Sequence, residues 1–439
     1  MYRLSVHVFG HGERVPMLLD ARGVPLFYPT LFATARLRNA GAAVNTIRNQ
    51  LADVLVFLRW ESTQKPKRDF ISEFAQGKFL TVSDVVSLRD FAALNMRDMA
   101  AHGDPDQSER SGIPMLAAQL ATRAPLKTIG GQQHYNRLST IADYLQFVAS
   151  VATQHKHSST DASSIDRMAK TIRKHRPRGL ASRLDDEQGD RSPPTELVER
   201  FMAVGAANHP ENPFRNPGVR VRNAIIFGLL RHSTIRRGEL LSLRLDQFEF
   251  GYEPSVWVRR NQDDPSDSRR YQPVSKTKER PFPLPQALAD QIQHYVMNER
   301  AKIGPARRHP YLLVSHRKGK TYGHPLSLSA VSSQVFKAMR TVDPAFSAIH
   351  PHALRYHFNY ELSKHVDKHN TDYRSMPAGT TVTPITEGRE LDMRAFLNGH
   401  RSKQSGAVYN RRHVRETSDR AVRQIQVALR NKVNKEPEN

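Results

Sequence analysis

Tyr409 stands in a strongly basic stretch of the chain and is followed closely by Arg411, Arg412 and His413. A tyrosine hydroxyl has a pKa near ~10 and is a poor nucleophile at neutral pH. Neighbouring cations and hydrogen-bond donors favour the phenolate, which can attack an electrophile. In so basic a setting the natural electrophile is a phosphodiester, so Tyr409 is a candidate nucleophile for a reaction at phosphorus.

Four separated motifs hold the other residues that could do chemistry. Residues 233–244 read STIRRGELLSLR, residues 275–284 read SKTKERPFPL, and residues 350–357 read HPHALRYH. The fourth motif is the phrase LNGH at 397–400, which ends nine positions before the tyrosine. The chemically active members of the set are, in chain order, Arg236, Lys276, His352, Arg355, His400 and Tyr409.

In this order and local spacing the motifs resemble those of the tyrosine recombinases, the phage integrase family. The family pattern is Arg, then Lys, then His-x-x-Arg, then His or Trp, and finally Tyr. The resemblance covers residues 194–435 well and the N-terminal helices only loosely. It departs from the pattern at Ser233-Thr234, where Thr-Gly is commoner, and at Gly406, where Thr is frequent. The resemblance implies an enzyme that breaks and rejoins DNA strands by transesterification.

The resemblance implies that two arginines stabilise the transition state and that a lysine acts as general acid. Arg236 and Arg355 would stabilise the pentavalent phosphorane, because a guanidinium is a permanently charged planar fork that can bond two oxygens. Lys276 would protonate the departing 5′-oxygen as general acid, since that oxygen would otherwise leave as an alkoxide. Lys278, two residues further on, is the alternative for this role.

The histidines would assist. His352 would help proton movement at the tyrosine or hydrogen-bond the phosphate, and His400 would donate a hydrogen bond to the scissile phosphate. Glu239 lies one helical turn after the first arginine and could orient a cation. His357 is a further supporting candidate.

The implied reaction conserves bond energy. Tyr409 would hold the 3′-phosphate as a covalent ester, and a DNA 5′-hydroxyl would reverse the step. Four protomers would act on two duplexes through a Holliday junction, with accessory DNA-bending or directionality factors as further partners. No metal or cofactor is expected, and the sequence contains neither a Cys/His zinc spacing nor a phosphate-binding Gly-x-x-x-x-Gly-Lys loop.

The composition also indicates a polyanionic partner. Lys and Arg number 66 against 43 Asp and Glu, which gives a net charge of +23. Nucleic acid is the leading candidate, because neutralising phosphates releases counterions. The mean hydropathy of -0.60 and the lack of an apolar run near ~18 residues argue against a membrane span, and we find no signal peptide or lipid anchor. With no cysteine for disulfides, we expect a cytoplasmic, DNA-associated protein.

Hydrophobic periodicity and turn signals divide the chain into four segments. We expect a β-hairpin segment at 1–25 and a helical core-DNA-binding domain at 26–155. A basic interdomain linker at 156–192 and a catalytic domain with a C-terminal helix at 193–435 follow. The expected fold class is mainly α with a small antiparallel β-sheet in the catalytic domain, arranged by the resemblance as a two-domain DNA clamp.

Three polar stretches are candidates for contacts outside the chemistry. The linker is expected to cross the DNA backbone, and two inserts are expected to touch DNA or a neighbouring protomer. The inserts are 261–270, predicted to be an extended hairpin tip, and 367–387, predicted to be a loop. The linker residues proposed to bind DNA are Arg173, Lys174, Arg176 and Arg178.

Other functions fit the same composition. A type IB topoisomerase has the same chemistry on one duplex and would give relaxed plasmid without joined recombinants. A DNA-binding protein with an inactive site would form no covalent adduct. An RNA-binding protein is disfavoured, since the sequence lacks an RNP-like aromatic phrase.

Overall fold

The computed structural model describes residues 2–96, 127–154, 159–179, 192–275, 277–375, 383–405 and 411–433. The chain forms two compact units, one comprising Met1–Phe9 and Arg14–Glu187 and the other Gly10–Glu13 and Gln188–Asn439. Both units are mainly helical and contain small antiparallel sheets, which confirms the expected fold class. No helix in the described ranges is long and apolar enough to cross a membrane.

The first unit combines a β-hairpin with a group of helices. Strands β1 (Arg3–Val8) and β2 (Arg14–Leu19) pair antiparallel where the sequence predicts a hairpin. The helices are α1 (Phe27–Leu31), which continues as a π-helical stretch (Phe32–Arg38), α2 (Val44–Ser62), α3 (Phe70–Ala75), α4 (Val82–Ala93), α5 (Gly131–Thr153) and α6 (Ser159–Lys174).

Helix α2 supplies much of the first core. Its residues Ile47, Leu51 and Leu58 recur at helical spacing and are buried. Trp60 stacks on Phe70 of α3 with their ring centroids 5.2 Å apart. Burial of each such side chain contributes about 1.5–3 kcal/mol, so the apolar stripe read from the sequence is what holds this unit together.

Helix α6 lies within the segment that the sequence predicts to be a linker. Ile165, Met168 and Ile172 are buried in the first core, at the spacing of one helical face. Most other residues of α6 are polar or charged. The amphipathic pattern of the helix is therefore difficult to recognise in the sequence. The linker prediction therefore fails for α6, and residues 155–158 and 180–191 lie outside the described residues.

Two of the four proposed DNA-binding residues contact α5. Arg173 donates to Asp143 at 2.6 Å and to Gln146 at 3.0 Å. The guanidinium of Arg176 lies 4.4 Å from the centre of the Tyr135 ring. Lys174 and Arg178 are exposed, and the DNA-binding role of all four stays a prediction.

The second unit is built from helices around a three-stranded sheet. Strands β3 (Phe248–Glu249), β4 (Ser255–Val258) and β5 (Arg280–Pro283) pair antiparallel in that order. The helices are α7 (Thr195–Gly205), α8 (Pro217–His232), α9 (Arg237–Ser242), α10 (Gln286–His294), which continues as a π-helical stretch (Tyr295–Arg300), α11 (Leu328–Ala330), α12 (Phe336–Val342), α13 (Pro351–Arg374), α14 (Glu387–Asn398) and α15 (Arg411–Val433).

An aromatic cluster fills the second core. The Phe201 ring of α7 lies 4.8 Å from that of Phe227 on α8 and 5.2 Å from that of Phe346, measured between centroids. Helix α8 is buried along most of its length, as the apolar run Asn223–Leu230 predicts. Because α8 is fixed on all sides, the chain that leaves it at Ser233 is fixed too, and this chain leads into the first arginine motif.

The 261–270 insert is not the extended hairpin tip that the sequence predicts. Asp264 accepts from Arg244 at 2.8 Å and from the Tyr311 hydroxyl at 2.8 Å. Asp267 and Arg269 are buried and pair with each other at 2.8 Å. The insert folds onto its own unit because its acids find cationic and phenolic partners that are distant in sequence.

The 367–387 insert also differs from its prediction. The sequence predicts a loop over 367–387, but helix α13 continues to Arg374. The helix interior has no proline or glycine to end it, and polar composition alone does not stop a helix. Residues 376–382 lie outside the described residues.

Candidate active site

The two arginines expected to bind phosphate meet at one backbone carbonyl. Arg236 is the N-cap residue of α9, and its Nη1 donates to the carbonyl oxygen of Asn398 at 3.2 Å. Arg355 is on the second turn of α13, and its Nη2 donates to the same oxygen at 3.0 Å. Arg355 also donates to the carbonyl of Thr234, just before the first arginine. Two arginines that are far apart in sequence thus donate to the same oxygen.

The two guanidiniums differ in exposure. The Arg236 side chain is 32% exposed, whereas Arg355 is 1% exposed. Arg355 is therefore held rigidly by backbone carbonyls, and Arg236 presents its charge to solvent. Two permanent positive charges at one acceptor repel each other, and an anion bound between them would offset that repulsion.

His400 completes this cluster. Its Nε2 lies 3.3 Å from Nη2 of Arg355. A guanidinium can only donate, so this nitrogen is the acceptor of the neutral ring and the ring proton is assigned to Nδ1. Burial, followed by the charges of Arg355 and Arg236, lowers the pKa of His400 to about 4. A neutral imidazole is therefore the resting form at neutral pH.

This pKa can be measured. In the unfolded chain a histidine titrates near ~6.5, so the unfolded state binds more protons than the folded state between that pH and about 4. The contribution of His400 to stability is present above pH ~6.5 and is lost as the pH falls toward the folded pKa. We expect NMR titration, with the signal assigned by loss in His400→Asn, to place its midpoint well below 6.5. A midpoint at or above 6.5 would contradict the geometry.

Gly399 ends α14 in a backbone conformation that places His400 beside the arginines. Gly399 is the C-cap of α14 with φ of 64°, a left-handed conformation that favours glycine. The His400 amide then donates back to Ala395 at 2.8 Å. A Cβ at position 399 would lie 2.7 Å from Nη1 of Arg280 and 2.7 Å from Cβ of Thr277. The glycine of the LNGH motif is thus required by both backbone conformation and space.

Asn398, whose carbonyl joins the arginines, is fixed by a buried amide network. Its side chain exchanges hydrogen bonds with Asn359 of α13 at 2.9 and 3.2 Å. Its Nδ2 also donates to the carbonyl of Arg394 at 2.8 Å. Asn398 lies inside the LNGH motif, but its residue type alone does not predict this positioning role.

Glu239 does orient a cation, but its main partner is Arg280. Arg280 Nη2 donates to Glu239 Oε2 at 3.0 Å, and both residues are 1% exposed. The closest approach of the Arg236 guanidinium is 3.6 Å, while its backbone amide donates to Glu239 at 2.9 Å. Burial alone would raise the pKa of Glu239, but the charge of Arg280 and hydrogen bonds, including one from Thr277, outweigh it and lower that pKa. Glu239 is therefore ionised in the core.

Arg280 ties the lysine motif to the histidine turn and was missed from the sequence. Its Nε donates to the carbonyl of Leu397 at 2.7 Å, and its Nη1 donates to Thr277 Oγ1 at 2.9 Å. The Lys278 amide donates to the carbonyl of Gly399 at 3.2 Å. Arg280 stands in the quoted phrase KERP, at the first position of β5. Arg280 is buried and holds these segments together, a role that its position in the sequence does not indicate.

The remaining candidates fall into three groups. Lys276 and Tyr409 lie outside the described residues. Lys278 and His352 are exposed, and the His352 ring packs edge-on against Tyr356 with centroids 4.9 Å apart. His357 is fully buried, with its Nε2 3.8 Å from Glu361. The structure thus brings Arg236, Arg355, His400 and Glu239 together in one hydrogen-bonded cluster.

Comparison with known proteins matches the same region. Residues 209–370 match the model of the phage integrase family. Two solved structures are similar over most of the chain. A XerA recombinase is 12% identical with a TM-score of 0.33, covering 90% of this chain and 97% of that one. A XerH site-specific recombinase bound to palindromic difH substrate, in a post-cleavage complex, is 14% identical with a TM-score of 0.35, covering 77% and 84%. No curated protein matches.

The family match includes both arginines and His352. The resemblance drawn from the four motifs is thereby confirmed for this part of the chain.

Proposed function

We propose that the protein is a site-specific DNA recombinase that works through a covalent 3′-phosphotyrosine at Tyr409 and a Holliday junction. The observation that supports this proposal most is that Arg236 and Arg355 both donate to the carbonyl oxygen of Asn398, beside His400. Two guanidiniums at a single acceptor form a cationic site that suits a phosphate.

The arginines stabilise the charge that develops at phosphorus. In the phosphorane the non-bridging oxygens gain negative charge, and preorganised cations stabilise it without reorganisation at the moment of reaction. Arg355, held by the carbonyls of Thr234 and Asn398, supplies a rigid fork. Arg236 is the more exposed of the two and is available to an incoming phosphate.

The proton steps belong to the lysine and the histidines. Lys276 gives a proton to the leaving 5′-oxygen. Its chain neighbours Ser275 and Thr277 both hydrogen-bond Oε1 of Glu239, the buried carboxylate beneath the first arginine. His352 is an exposed residue on the first turn of α13, one helical turn before Arg355, and we assign it proton movement at the tyrosine.

Tyr409 breaks the P–O5′ bond and forms a P–O bond to its phenolic oxygen. The proton of the tyrosine passes to a nearby base, and the 5′-oxygen leaves as a hydroxyl. A 5′-hydroxyl from the same or another strand then attacks the phosphotyrosine and releases the phenol. The number of phosphoester bonds is unchanged, so the chemistry needs no energy source.

A two-site plasmid tests this function. It should carry two copies of candidate attachment DNA taken from the sequence that flanks the gene. We expect joined recombinants and branched junctions that are absent with Tyr409→Phe. Relaxed plasmid without recombinants would instead assign a topoisomerase activity. No change in DNA topology or connectivity, with binding intact, would indicate an inactive site.

The expected tetramer has a candidate contact in α15. Its residues Val414, Val422 and Ile425 are 53%, 51% and 59% exposed. The start of α15 is tied to α13 by a hydrogen bond from the Tyr360 hydroxyl to Glu416 at 2.7 Å and by His413 beside Asp367 at 2.9 Å. We propose that the exposed apolar face of α15 docks on a neighbouring protomer.

Charging that face should separate cleavage from recombination. We expect Val422→Glu together with Ile425→Glu to abolish the tetramer on DNA and reduce recombination by at least about 10-fold, because two buried carboxylates each cost several kcal/mol at an interface. Adduct formation by single protomers should persist. Light scattering of the DNA complex measures the assembly, and Gln424→Glu on the same helix is the matched control. An unchanged tetramer would contradict the docking role.

Double-stranded DNA is the partner that this function requires, and we place the protein with the DNA in the cytoplasm. The proposed clamp and the contribution of accessory factors follow from the family resemblance alone.

A further inference from the structure

A segment of the second unit outside the active-site cluster carries only positive charge. Residues 302–324 contain six Lys and Arg and no Asp or Glu. We call this segment the basic lobe. Its cationic members are Lys302, Arg307, Arg308, Arg317, Lys318 and Lys320.

The basic lobe has a fixed shape and a small core of its own. Ile303, Ala306 and Val314 are buried together, with Tyr322 packed against them. A turn closes where the Ser315 amide donates to the His324 carbonyl at 2.9 Å and the Gly323 amide donates to the Ser315 carbonyl at 2.8 Å. The charges between these residues are therefore presented by an ordered turn.

Gly323 joins the two halves of the basic lobe. It has φ of 73°, and a Cβ there would lie 2.8 Å from Cγ2 of Ile303 and 2.9 Å from Cβ of Pro305. His309 Nε2 lies 2.8 Å from the Gly323 carbonyl. The 3₁₀ turn Gly304–Arg308 and the 315–324 turn thus form one body.

Two of the six cations of this body have partners, since Lys302 pairs with Glu299 at 3.3 Å and Arg307 donates to the Ala301 carbonyl. Arg308, Arg317, Lys318 and Lys320 are exposed, and none has an ion pair or side-chain hydrogen bond within the described part of the chain. The buried arginines of the same unit are, in contrast, bonded to carbonyls or carboxylates. Arg317, Lys318 and Lys320 lie on the 315–324 turn and Arg308 ends the 3₁₀ turn joined to it. Four unpaired cations on one ordered body repel one another, and an extended polyanion would relieve that repulsion.

The basic lobe is attached close to the first arginine. The Leu312 amide donates to the Leu243 carbonyl at 3.0 Å, and the Leu245 amide donates to the Pro310 carbonyl at 2.8 Å. Leu243 follows α9, whose N-cap is Arg236. Six helical residues span about 9 Å, so the point at which the basic lobe is attached lies about that far along α9 from Arg236.

We propose that the basic lobe binds the phosphate backbone of duplex DNA, independently of base sequence, beside the phosphate that is cleaved. This inference rests on the proposed function for the position of the DNA, and on the charge and order of the turn for the contact itself. The lobe residues supply affinity and position and take no part in the chemistry.

The salt dependence of binding tests the proposal. Each lost phosphate contact reduces the slope of log K against log salt by about 0.9. We expect the triple variant Arg317→Gln, Lys318→Gln and Lys320→Gln to lower the slope by about 2–3 on duplex DNA. The affinity for a target duplex and for a scrambled duplex should fall by the same factor, because backbone contacts carry no sequence information.

The matched control removes the same charge elsewhere in the unit. Arg215, Lys337 and Arg340 are exposed cations outside the basic lobe and outside both inserts, and their triple glutamine variant should keep the wild-type slope. An unchanged slope in the lobe variant, or an equal reduction in both variants, would overturn the proposal. Circular dichroism and thermal unfolding establish that both variants fold.

Adduct formation at saturating DNA separates this proposal from the proposed function. The lobe variant should still form the wild-type amount of covalent adduct. If wild type itself forms none, the proposed function fails while the slope measurement still decides whether the basic lobe binds DNA.

Discussion

Replacing Arg355 by lysine should reduce the rate of DNA cleavage by about 10³-fold or more while leaving the protein folded. Removing one preorganised donor from a charged transition state costs about 10²–10³ in rate, and Arg355 presents a two-pronged fork that a lysine ammonium cannot reproduce. Lysine keeps the positive charge but cannot bond the carbonyls of Thr234 and Asn398 while facing a phosphate. The measurement is single-turnover cleavage at saturating DNA.

A buried arginine outside the cluster provides the control. Arg222 is also buried, and it donates to the Val314 carbonyl at 3.0 Å and to its neighbour Asn223. Arg222→Lys should lose comparable stability in thermal unfolding, because a buried carbonyl is left short of a donor. Its single-turnover rate should stay within a few-fold of wild type. Equal rates for Arg355→Lys and Arg222→Lys would remove Arg355 from the chemistry.

Replacing Arg280 should impair the protonation of the leaving group, by about 10²-fold or more, since general acid catalysis contributes about 10²–10⁴. Arg280 bonds Thr277, the chain neighbour of Lys276, and anchors it to the Leu397 carbonyl. It touches no expected substrate atom, so we regard it as a positioning residue. Its loss should displace the general acid while the arginine pair keeps its own contacts.

A substrate with sulfur in place of the bridging 5′-oxygen distinguishes this role from a general loss of structure. A thiol has a pKa near ~8.5 and leaves as a thiolate without a proton. Cleavage of the sulfur substrate by Arg280→Lys should therefore return to within about 10-fold of wild type, as it should for Lys276→Ala. Arg355→Lys should not be rescued. Failure of rescue in Arg280→Lys would assign Arg280 to the arginine pair instead.

Stability limits the choice of variants at this position. Arg280→Ala removes the main cationic partner of the buried Glu239 carboxylate, which costs about 3–5 kcal/mol. Arg280→Lys keeps a charge beside Glu239. The double variant Glu239→Gln with Arg280→Met removes both charges and should be less destabilised than Arg280→Ala. This order, measured by chemical unfolding, checks that the pair is buried and ionised as the structure has it.

The sequence predicts those parts of the fold that depend on short-range patterns. The α2 stripe, the apolar run of α8 and the β1–β2 hairpin have periods and turn residues that can be read directly. The four motifs predict the convergence of Arg236, Arg355 and His400, because their residue types suit one reaction. The resemblance to the family adds the expected order of these residues along the chain.

Features that depend on long-range partners are not predicted. Asp264 belongs to a folded insert only because Arg244 and Tyr311 lie beside it. In the sequence, Arg280 is one of many cations. Its role is defined by its contacts with Glu239 and the Leu397 carbonyl, which are distant in sequence. Helix α6 reads as linker because its three buried residues are diluted by charge. In each case the stabilising contact joins residues whose separation carries no periodic signal.

Trapping the covalent intermediate tests the central claim most directly. A nicked duplex lets the short 5′-hydroxyl strand diffuse away after cleavage, so that the phosphotyrosine cannot be resealed. We predict a DNA adduct that mass spectrometry of the digested complex maps to Tyr409, joined through a 3′-phosphate, and that Tyr409→Phe does not form. No adduct with wild type, an adduct on another residue, or an equal amount with Tyr409→Phe would contradict the account.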